Sequence, residues 1–533
     1  MEESEEFSES GEEYYEDDES SINCYYHYVQ SASDASRLIA DYLSNNKGPF
    51  SLNEEQCEWE EWVKDSTNDR ELKKLAKLEE FSSSEKLKDR QKGESLEKLF
   101  YRYKLIENIK FFWLRKRSIF PFAHHKYLNE TNTQYQSIMV NHTSGELNLT
   151  QKAMLVRTLI DYFGETGYFH FHPRTFIFSF TISSRKKDEH VQLLNADNIV
   201  RKIIGGEEVM EEFYKNQALI PNTWIFKPST GSCGRGIKIL NLKIDNIDQM
   251  SYEEFKIEIY HRVVQIYRTF REERSPEIIG QSYISNPFLY KNFKFDLRVY
   301  LLIASVKNPY ISFCSREGYL RVCSDEYNSN FSNKNAHITN FHVQRDHPLY
   351  DPATDSIEGR TTRVEYAHFI DYLYANNYLQ TLTDKEKEFF HFNDLPKDEK
   401  TMKDLIRQFV KTRIHTTVGS AVKSSVCKIQ QHPLSGEGQF ALLGVDLLLD
   451  VVGNFWLIEF TKSPAFRMHP EYLHSLHSAI LTETVDIVMD IENHRESFGN
   501  VNIENVASIK NSTAWDLLLY EDNSQFVLPS ILE

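Results

Sequence analysis

The chain has 533 residues and a net charge of −18, and hydrophobic residues make up 40% of it, including 29 tyrosines and 35 phenylalanines. This length and composition predict two to four globular domains with a sizeable core and exclude a wholly disordered chain. No apolar run approaches the roughly 18–20 residues that a membrane span needs, so we expect no membrane partner, and the acidic balance gives no reason to expect nucleic acid.

The N-terminus is the most acidic part of the chain. Its first 19 residues, MEESEEFSESGEEYYEDDE, contain eleven acidic and no basic side chains, the opposite of a signal peptide. Such a stretch cannot bury a core, so residues 1–34 are predicted to form an acidic disordered tail. A solubilising role and a regulatory role both remain open for it.

The cysteines indicate the compartment. Six cysteines are scattered along the chain without the spacing of a metal site or a disulfide framework. That usage is typical of a reducing environment, so we expect a soluble intracellular protein.

Residues 35–150 are predicted to form a mainly helical N-terminal extension. Segments 70–81 and 84–117 mix charges of both signs with apolar residues at helical spacing. Within them KFFWLRKRSIF, residues 110–120, is interpreted as the solvated end of an amphipathic helix, with a site for an acidic partner as the alternative.

The remaining chain interleaves strands and helices. Strand patterns are expected within 168–183 and across 221–325, with helices near 251–273, 365–425 and 470–492. The fold class is therefore mixed α/β or α+β. We assign residues 151–495 to one catalytic domain and 496–533 to a C-terminal tail.

The first segment that suggests chemistry is WIFKPSTGSCGRGIKIL, residues 224–240, in which Lys227 leaves a strand just before three glycines. The motif matches neither GxxxxGK[ST] nor GxGxxG. A strand–lysine–glycine loop–strand order fits a flap over a nucleotide with Lys227 on the phosphates, because glycine lets backbone N–H groups approach an anion. A plain glycine hairpin with a surface lysine is the alternative.

The second segment is NFKFDLRVYLLIAS, residues 292–305, where Lys294, Asp296 and Arg298 alternate with apolar residues. Strand side chains alternate faces, so the three charges line one face and the apolar groups pack on the other. The pattern favours a polar cleft floor for an anionic ligand over an edge strand facing water.

The third segment is GVDLLLDVVGNFWLIEFTKSP, residues 444–464, with a turn at Gly453. A Val452–Gly453 loop places Asp446 opposite Glu459, and a shift by one residue places Asp446 opposite Thr461. Both registers put the three polar side chains on one face. Opposed carboxylates repel each other, and a cation such as Mg²⁺ between them removes the repulsion, so a metal site is predicted.

Together these segments predict an ATP site built without a P-loop: a phosphate lysine under a glycine flap, a cationic floor and a magnesium hairpin. The chemistry that fits is transfer of the γ-phosphate to a carboxylate, followed by attack of an amine on the acyl phosphate.

The same segments identify the chain as resembling the tubulin–tyrosine-ligase-like family over roughly residues 170–492. The segments that show the resemblance are WIFKPSTGSCGRGI, IIGQSYISNPFLYKNFKFDLRVYLLI, EGYLRVCSDEY, HITNF, LLGVDLLLD and FWLIEFTKSP. The resemblance implies an ATP-grasp-type fold with N-terminal, central and C-terminal subdomains and with ATP between the latter two. It is greatest to the polyglycylase branch.

The resemblance also implies roles for individual residues. Arg298 and Arg321 are the implied catalytic cations, and Asp446, Glu459 and Thr461 occupy the magnesium positions. The implied ATP and amino-acid contacts are Lys227, Gly231, Ser232, Gly234, Arg235, Gly236, Gln281, Ser282, Tyr283, Ile284, Lys294, Asp296, Thr339 and Asn340.

One position departs from the family pattern. Where the family usually has E-x-N, this chain has Glu459–Phe460–Thr461. A threonine hydroxyl is a poorer and shorter oxygen ligand than an asparagine carbonyl, and Mg²⁺ demands near-ideal octahedral geometry. Three functions therefore stay open: a glycine ligase, a glutamate or tyrosine ligase, and a non-catalytic ATP- and tubulin-binding scaffold.

The implied partners are an acidic protein acceptor such as a tubulin tail and a free amino acid, with glycine favoured. The protein is expected to act as a monomer in the cytoplasm, on the cytoskeleton or in a cilium. An acidic acceptor needs a basic groove, for which Arg174, Arg185, Lys186 and Lys187 are the candidates. The acidic N-terminal tail could occupy that groove itself.

Overall fold

The structure is a computed structural model that describes most of the chain from residue 138 onward and shorter pieces before it. The described residues are 26–29, 34–45, 109–114, 125, 138–179, 189–230, 234–272, 277–307, 309–351, 356–382, 384–389, 395–467, 469–498, 501–522 and 525–527.

Helices and strands alternate along the described residues. The helices are α1 Asp34–Asn45, α2 Leu147–Thr150, α3 Lys152–Phe163, α4 Glu189–Ile203, α5 Glu207–Lys215, α6 Tyr252–Glu272, α7 Lys334–His337, α8 Phe341–Arg345, α9 Tyr366–Ala375, α10 Asp384–Phe389, α11 Glu399–Gln430, α12 Glu471–Phe498 and α13 Ala507–Asn511. The strands are β1 Tyr26–Val29, β2 Ile109–Trp113, β3 Met139–Val140, β4 Thr175–Ser179, β5 Thr223–Pro228, β6 Lys238–Asn241, β7 Glu277–Ser282, β8 Leu289–Tyr290, β9 Phe293–Ser305, β10 Tyr310–Ser315, β11 Tyr319–Val322, β12 Tyr350–Asp351, β13 Ser356–Ile357, β14 Arg360–Thr361, β15 Arg363–Glu365, β16 Ala441–Leu449, β17 Phe455–Lys462, β18 Trp515–Asp522 and β19 Gln525–Val527. The mixed α/β class is confirmed.

The largest sheet is built around β9. This strand pairs with β16 along one edge and with β10 and β11 along the other, and every one of these pairings is antiparallel. Strand β17 extends the sheet beyond β16, β15 lies beside β11, and β18 lies beside β10.

The alternation of β9 separates two cores. Leu297, Val299 and Leu301 belong to a buried cluster with α3, α9 and α11 on one face. Tyr300 and Leu302 belong to a second cluster, with α12, on the other face. Lys294, Asp296 and Arg298 continue that second face towards the start of β9, so the apolar face gives way to a polar one along a single strand.

A four-stranded antiparallel sheet in the order β4-β7-β5-β6 carries the glycine loop. Its core includes Trp224, Phe226 and Ile278 and packs against α4, α5 and α6. Helix α6 confirms the helix predicted near 251–273.

The helical prediction for residues 110–120 is wrong where it can be compared. Residues 109–113 form β2 in a small parallel sheet with β1 and β3, and Phe111 and Phe112 are fully buried. The aromatic run is typical of a strand that is buried on both faces. The helical spacing of the charged residues around it led to the wrong prediction. Lys110 lies in this strand. The predicted helix 70–81 and residues 84–108 of the predicted helical segment 84–117 lie outside the described residues.

The two terminal segments also need correction. Strand β1 lies within the segment 1–34 that we predicted to be disordered. Residues 501–522 are not a tail, because β18 pairs with β10 in the large sheet and Trp515, Leu518 and Leu519 are buried. The short apolar run LLLY, which is typical of a buried strand, was the overlooked signal.

Candidate active site

The three charged residues of β9 share one face, as the alternation predicted. Lys294, Asp296 and Arg298 lie on one face of β9 and are all buried, with exposed fractions of 5–6%. Charged groups are rarely buried unless they are paired, so their partners determine what the site can do.

Asp446 is held between two arginines. Its Oδ1 accepts a hydrogen bond of 2.6 Å from Arg298 Nε, and its Oδ2 lies 2.7 Å from Arg321 Nη2. A Cβ atom at Gly444 would lie 3.0 Å from Arg298 Nη1, so glycine leaves room for the guanidinium. Burial alone raises the pKa of Asp446, but the two arginines reverse this and lower it to about 2.

Asp296 binds the same Arg321 through two hydrogen bonds, of 2.6 Å from Nε and 2.7 Å from Nη2. Thr339 donates a further hydrogen bond to Asp296. Burial nevertheless leaves the pKa of Asp296 raised. Arg321 thus joins both carboxylates, and two arginines with two aspartates form one buried, charge-balanced group.

The hairpin settles the two registers left open by the sequence. Asp446 pairs with Glu459 and Gly444 pairs with Thr461. The predicted pairing of Asp446 with Glu459 is therefore confirmed. The two-residue Val452–Gly453 loop is wrong, because a bulge after Asp446 shifts the pairing next to the turn, and Asp450 N bonds to Asn454 O across a loop of three residues, 451–453.

Glu459 has a cationic partner that sequence reasoning missed. Lys152, at the start of α3, places Nζ 3.1 Å from Glu459 Oε2, and the two side chains are 15% and 24% exposed. The only signal in the sequence was the lysine in TQKAML, and nothing local to that segment links it to the hairpin more than 300 residues later.

Lys227 lies at the end of β5 and is buried. Its Nζ donates a hydrogen bond of 3.0 Å to Gln281 Oε1. Burial lowers the pKa of Lys227 to about 8, although the nearby Glu459 carboxylate works in the opposite direction. The Gln281 amide also donates to Thr175 Oγ1 at 3.1 Å, which fixes its orientation.

Tyr283 and Lys294 line the same cavity as Lys227 and Gln281. Lys294 Nζ donates to the Tyr283 hydroxyl at 2.8 Å, and that hydroxyl lies 2.9 Å from His337 Nδ1. Burial lowers the pKa of Lys294 to about 8 and that of His337 to about 4. Ser282 and Ile284 lie on either side of Tyr283 and line the same space.

Two adjoining cavities meet at these residues. An inner cavity of about 100 Å³ lies between the two sheets, and its lining includes Lys227, Gln281, Tyr283, Lys294 and Asp296. An outer cavity of about 670 Å³ is lined by residues including Lys152, Arg298, Thr461 and Arg363. Asp446, Glu459, Arg321, Thr339 and Asn340 line both.

The glycine loop approaches the shared wall. Gly234 has φ of +70°, and a Cβ atom there would lie 3.1 Å from Val343 and 3.5 Å from Asn340. Gly236 also has positive φ, Arg235 is exposed, and Gly231 and Ser232 lie outside the described residues. The structure therefore places the second half of the predicted flap beside Asn340, and the role of the first half stays a prediction.

The carboxylates suit a hard divalent cation. Asp446 and Glu459 are directly opposed, and each Asp446 oxygen that accepts from an arginine retains a second lone pair. Among the described residues no group of three or more His, Cys, Asp or Glu side chains could hold a metal. Mg²⁺ fits this donor set, because it commonly binds one or two carboxylates together with substrate phosphates and water.

The predicted acceptor residues lie elsewhere or outside the described residues. Arg174 is half-buried, with its guanidinium 4.9 Å from the Phe176 ring centroid, and it lines neither cavity. Arg185, Lys186 and Lys187 lie outside the described residues. Their role as a groove stays a prediction.

Comparison with known proteins gives a family and several relatives. The tubulin-tyrosine ligase family model matches residues 129–497. The tubulin polyglutamylase TTLL7 of Xenopus tropicalis is 24% identical over 354 residues, which are 66% of this chain and 31% of that protein. The protein polyglycylase TTLL10 of Macaca fascicularis is 28% identical over 270 residues, 50% of this chain and 38% of that protein. The inactive polyglycylase TTLL10 of Homo sapiens is 28% identical over 272 residues, 50% of this chain and 35% of that protein.

The chain spans about a third of the length of these curated relatives. Within the described residues, no helix combines the length and the apolar character that crossing a bilayer requires.

Proposed function

The chain belongs to the tubulin-tyrosine ligase family, and on this premise we propose that it is an ATP-dependent ligase that joins a free amino acid to a glutamate side chain of a tubulin tail or another acidic acceptor. Relatives named for glutamate and for glycine addition both match, so the donor rests on the resemblance to the polyglycylase branch. Glycine is the proposed donor, with glutamate or tyrosine as the alternative.

The observation that supports this function best is the arrangement around Asp446 and Glu459. Asp446 lies opposite Glu459 and binds both Arg298 and Arg321, and Lys227 lines the inner cavity together with the two carboxylates. Such a site can bind a triphosphate and stabilise the negative charge that develops when its terminal phosphoryl group is transferred.

The proposed reaction has two steps. An acceptor carboxylate oxygen attacks the γ-phosphorus of ATP. The bond between the γ-phosphorus and the β,γ-bridging oxygen breaks, and ADP leaves. The neutral amine of the donor then attacks the acyl carbon, inorganic phosphate leaves, and the amine proton is released. Arg298 and Arg321 offset the charge on the transferring phosphoryl group, while Lys227 and Lys294 hold the remaining phosphates.

Asp446 and Glu459 are proposed to hold Mg²⁺, with Thr461 beside them. The metal supplies charge neutralisation of the phosphates when bound. Lys152 is proposed to hold the Glu459 carboxylate in place before ligands bind and to contact phosphate afterwards, since it lines the outer cavity and its Nζ lies 3.1 Å from Glu459, which lines both cavities.

We propose that ATP lies between the four-stranded sheet and the large sheet, as in an ATP-grasp-type fold. The proposed catalytic unit runs from β3 through β18, because β18 pairs with β10 in the large sheet. The protein is proposed to act as a monomer in the cytoplasm, on the cytoskeleton or in a cilium.

A non-catalytic scaffold is the second candidate, and Thr461 is the observation that favours it. The Thr461 side chain is part-buried at the outer cavity and offers only a hydroxyl where the family usually has an asparagine.

The test is mass spectrometry of tubulin incubated with the purified chain, Mg-ATP and isotope-labelled glycine, glutamate or tyrosine. We expect covalent label from glycine. Label from another amino acid would replace the proposed donor. No label from any of them, with ATP binding retained by calorimetry, would overturn the ligase. Recovery of label in Thr461→Asn would then assign the loss to that position.

Nucleotide affinity is expected to fall as the pH rises above about 8. Lys227 and Lys294 carry pKa values lowered to about 8 by burial, so their ammonium groups lose charge above that pH. Phosphate stabilises the charged form, so binding takes up protons and weakens by up to about tenfold per pH unit for each lysine. Calorimetry of ATP binding at pH 7 and pH 9 measures this effect.

The stability of the ligand-free protein should change in the opposite direction. The unfolded lysines titrate near 10.5, so between about pH 8 and 10.5 the unfolded state binds more protons, and the contribution of these two groups to stability rises with pH. Lys227→Met should flatten both trends. An ATP affinity that does not change between pH 7 and pH 9 would contradict the assignment of the two lysines to the phosphates.

A further inference from the structure

The outer cavity has a basic wall beyond the group around Asp446. Three of its cations already face described carboxylates: Arg298 and Arg321 bind Asp446, and Lys152 binds Glu459. Arg363 and Arg467 line the same cavity further out. The protein as a whole is strongly acidic, so this local excess of positive charge is set by the site and not by the overall composition.

Strand pairing places Arg363 next to the reaction centre. On β11 and β15, Arg363 is the direct partner of Arg321, whose other neighbour across the sheet is Asp296 on β9. Directly opposed residues project to the same face with Cβ atoms about 5 Å apart, and like charges in that position are destabilising. Asp296 compensates Arg321, and Arg363 extends the row by one further positive charge.

Arg363 and Arg467 share one aromatic ring. Their guanidinium carbons lie 4.8 Å and 3.7 Å from the centroid of Phe341. Arg363 is only 4% exposed, and Arg467 is half-buried. No described carboxylate lies within salt-bridge distance of Arg467. Two guanidiniums held on one ring present planar hydrogen-bond donors that match the geometry of a carboxylate.

We propose that Arg363, Arg467 and Phe341 form a second carboxylate subsite, which binds an acidic side chain of the acceptor polypeptide next to the one that reacts. This inference rests on the proposed function, since it takes the carboxylate near Arg321 as the reacting one. Arg321 is already engaged with Asp446 and Asp296, whereas Arg363 and Arg467 lie on the Phe341 ring further out in the same cavity, so a polypeptide with one carboxylate at Arg321 can place a neighbouring carboxylate at the outer pair. An acceptor with neighbouring glutamates supplies the second carboxylate.

The test uses fluorescence anisotropy of two labelled synthetic peptides with the full chain, one with a run of glutamates and one with a single glutamate flanked by glutamines. The wild-type protein is expected to bind the glutamate-run peptide about tenfold more tightly. Arg467→Gln should remove most of that preference. Arg407→Gln, which removes one positive charge at a part-exposed position outside the cavity, should leave it unchanged.

Two further variants guard against misfolding. Arg363→Lys keeps the buried charge but not the planar fork, and Phe341→Leu removes the shared ring; both should weaken the preference while circular dichroism stays that of the wild type. A preference retained in Arg467→Gln, or absent from the wild type, would overturn the subsite. Because the assay measures binding, the result stands even if no ligase activity is found.

The donor amino acid also carries a carboxylate, and kinetics separate the two sources. In an active preparation, Arg467→Gln should raise KM for the acceptor peptide about tenfold and leave KM for the free amino acid unchanged. A rise in KM for the amino acid alone would assign the two arginines to the donor and overturn the inference.

Discussion

Asp446→Asn is expected to destabilise the protein by about 3–5 kcal/mol, because it leaves two buried arginines without their shared carboxylate. The side chains of Arg298, Arg321 and Asp446 are only 7%, 13% and 4% exposed, so water can offset only part of the lost charge. Chemical denaturation of the variant and the wild type at pH 7 measures the difference in the free energy of unfolding.

The pH dependence of that difference follows from the carboxylate. The folded pKa of Asp446 is about 2, below the unfolded value near 3.9, so its stabilising contribution is present above about pH 4 and is lost as the pH falls through about 2. The two proteins should therefore converge in stability between pH 4 and pH 2.

Asp404→Asn is the matched control. Asp404 forms a surface pair with Arg407 and is 57% exposed, so its loss should change stability by less than about 0.5 kcal/mol. Equal stability of Asp446→Asn and the control would show that the buried group around Asp446 does not form as described.

Glu459→Gln is expected to lower the rate of amino-acid transfer at least about 100-fold while leaving the fold intact. Glu459 lies directly opposite Asp446, yet its side chain is 24% exposed and its partner Lys152 reaches the outer cavity. Removing one charge of such a pair costs little stability, whereas removing a proposed metal carboxylate weakens the charge balance at the phosphates.

Incorporation of labelled glycine into tubulin measures this loss, and chemical denaturation checks the fold. Glu258→Gln is the control, because Glu258 forms a similar part-exposed pair with Arg262 on α6, away from both cavities. A Glu459→Gln variant as active as this control would remove Glu459 from the catalytic site. The two hairpin carboxylates should thus have different measured effects: Asp446→Asn lowers stability, whereas Glu459→Gln lowers activity alone.

Much of the site could be predicted from local sequence patterns. The alternation in KFDLR fixes which side chains share a face, and the Gly453 turn limits the hairpin to two registers. These patterns act over a few residues, where the backbone geometry of a strand or a tight turn leaves few choices. The choice between the two registers required the structure, because both kept the same residues on one face.

The remaining parts depend on tertiary packing. Lys152 meets Glu459 because α3 packs against the core cluster on the large sheet, and Arg363 meets Arg467 because β15 and the loop after β17 both reach Phe341. Neither approach is encoded within any short segment. The strands β2 and β18 were missed for a different reason: charges at helical spacing surround the apolar run of β2, and the short run of β18 was overlooked at the end of the chain.

The alternation of polar and apolar residues along β9 also ties the pairing register of this strand to the stability of the protein. If β9 slipped by one residue against its neighbours, Phe295, Leu297 and Val299 would enter the cavities while Lys294, Asp296 and Arg298 would enter the apolar core. Such a molecule would lose its core packing together with its binding site, so it would unfold instead of persisting as a compact but inactive protein. Quality control in the cell can therefore recognise a wrongly assembled site simply as a misfolded chain.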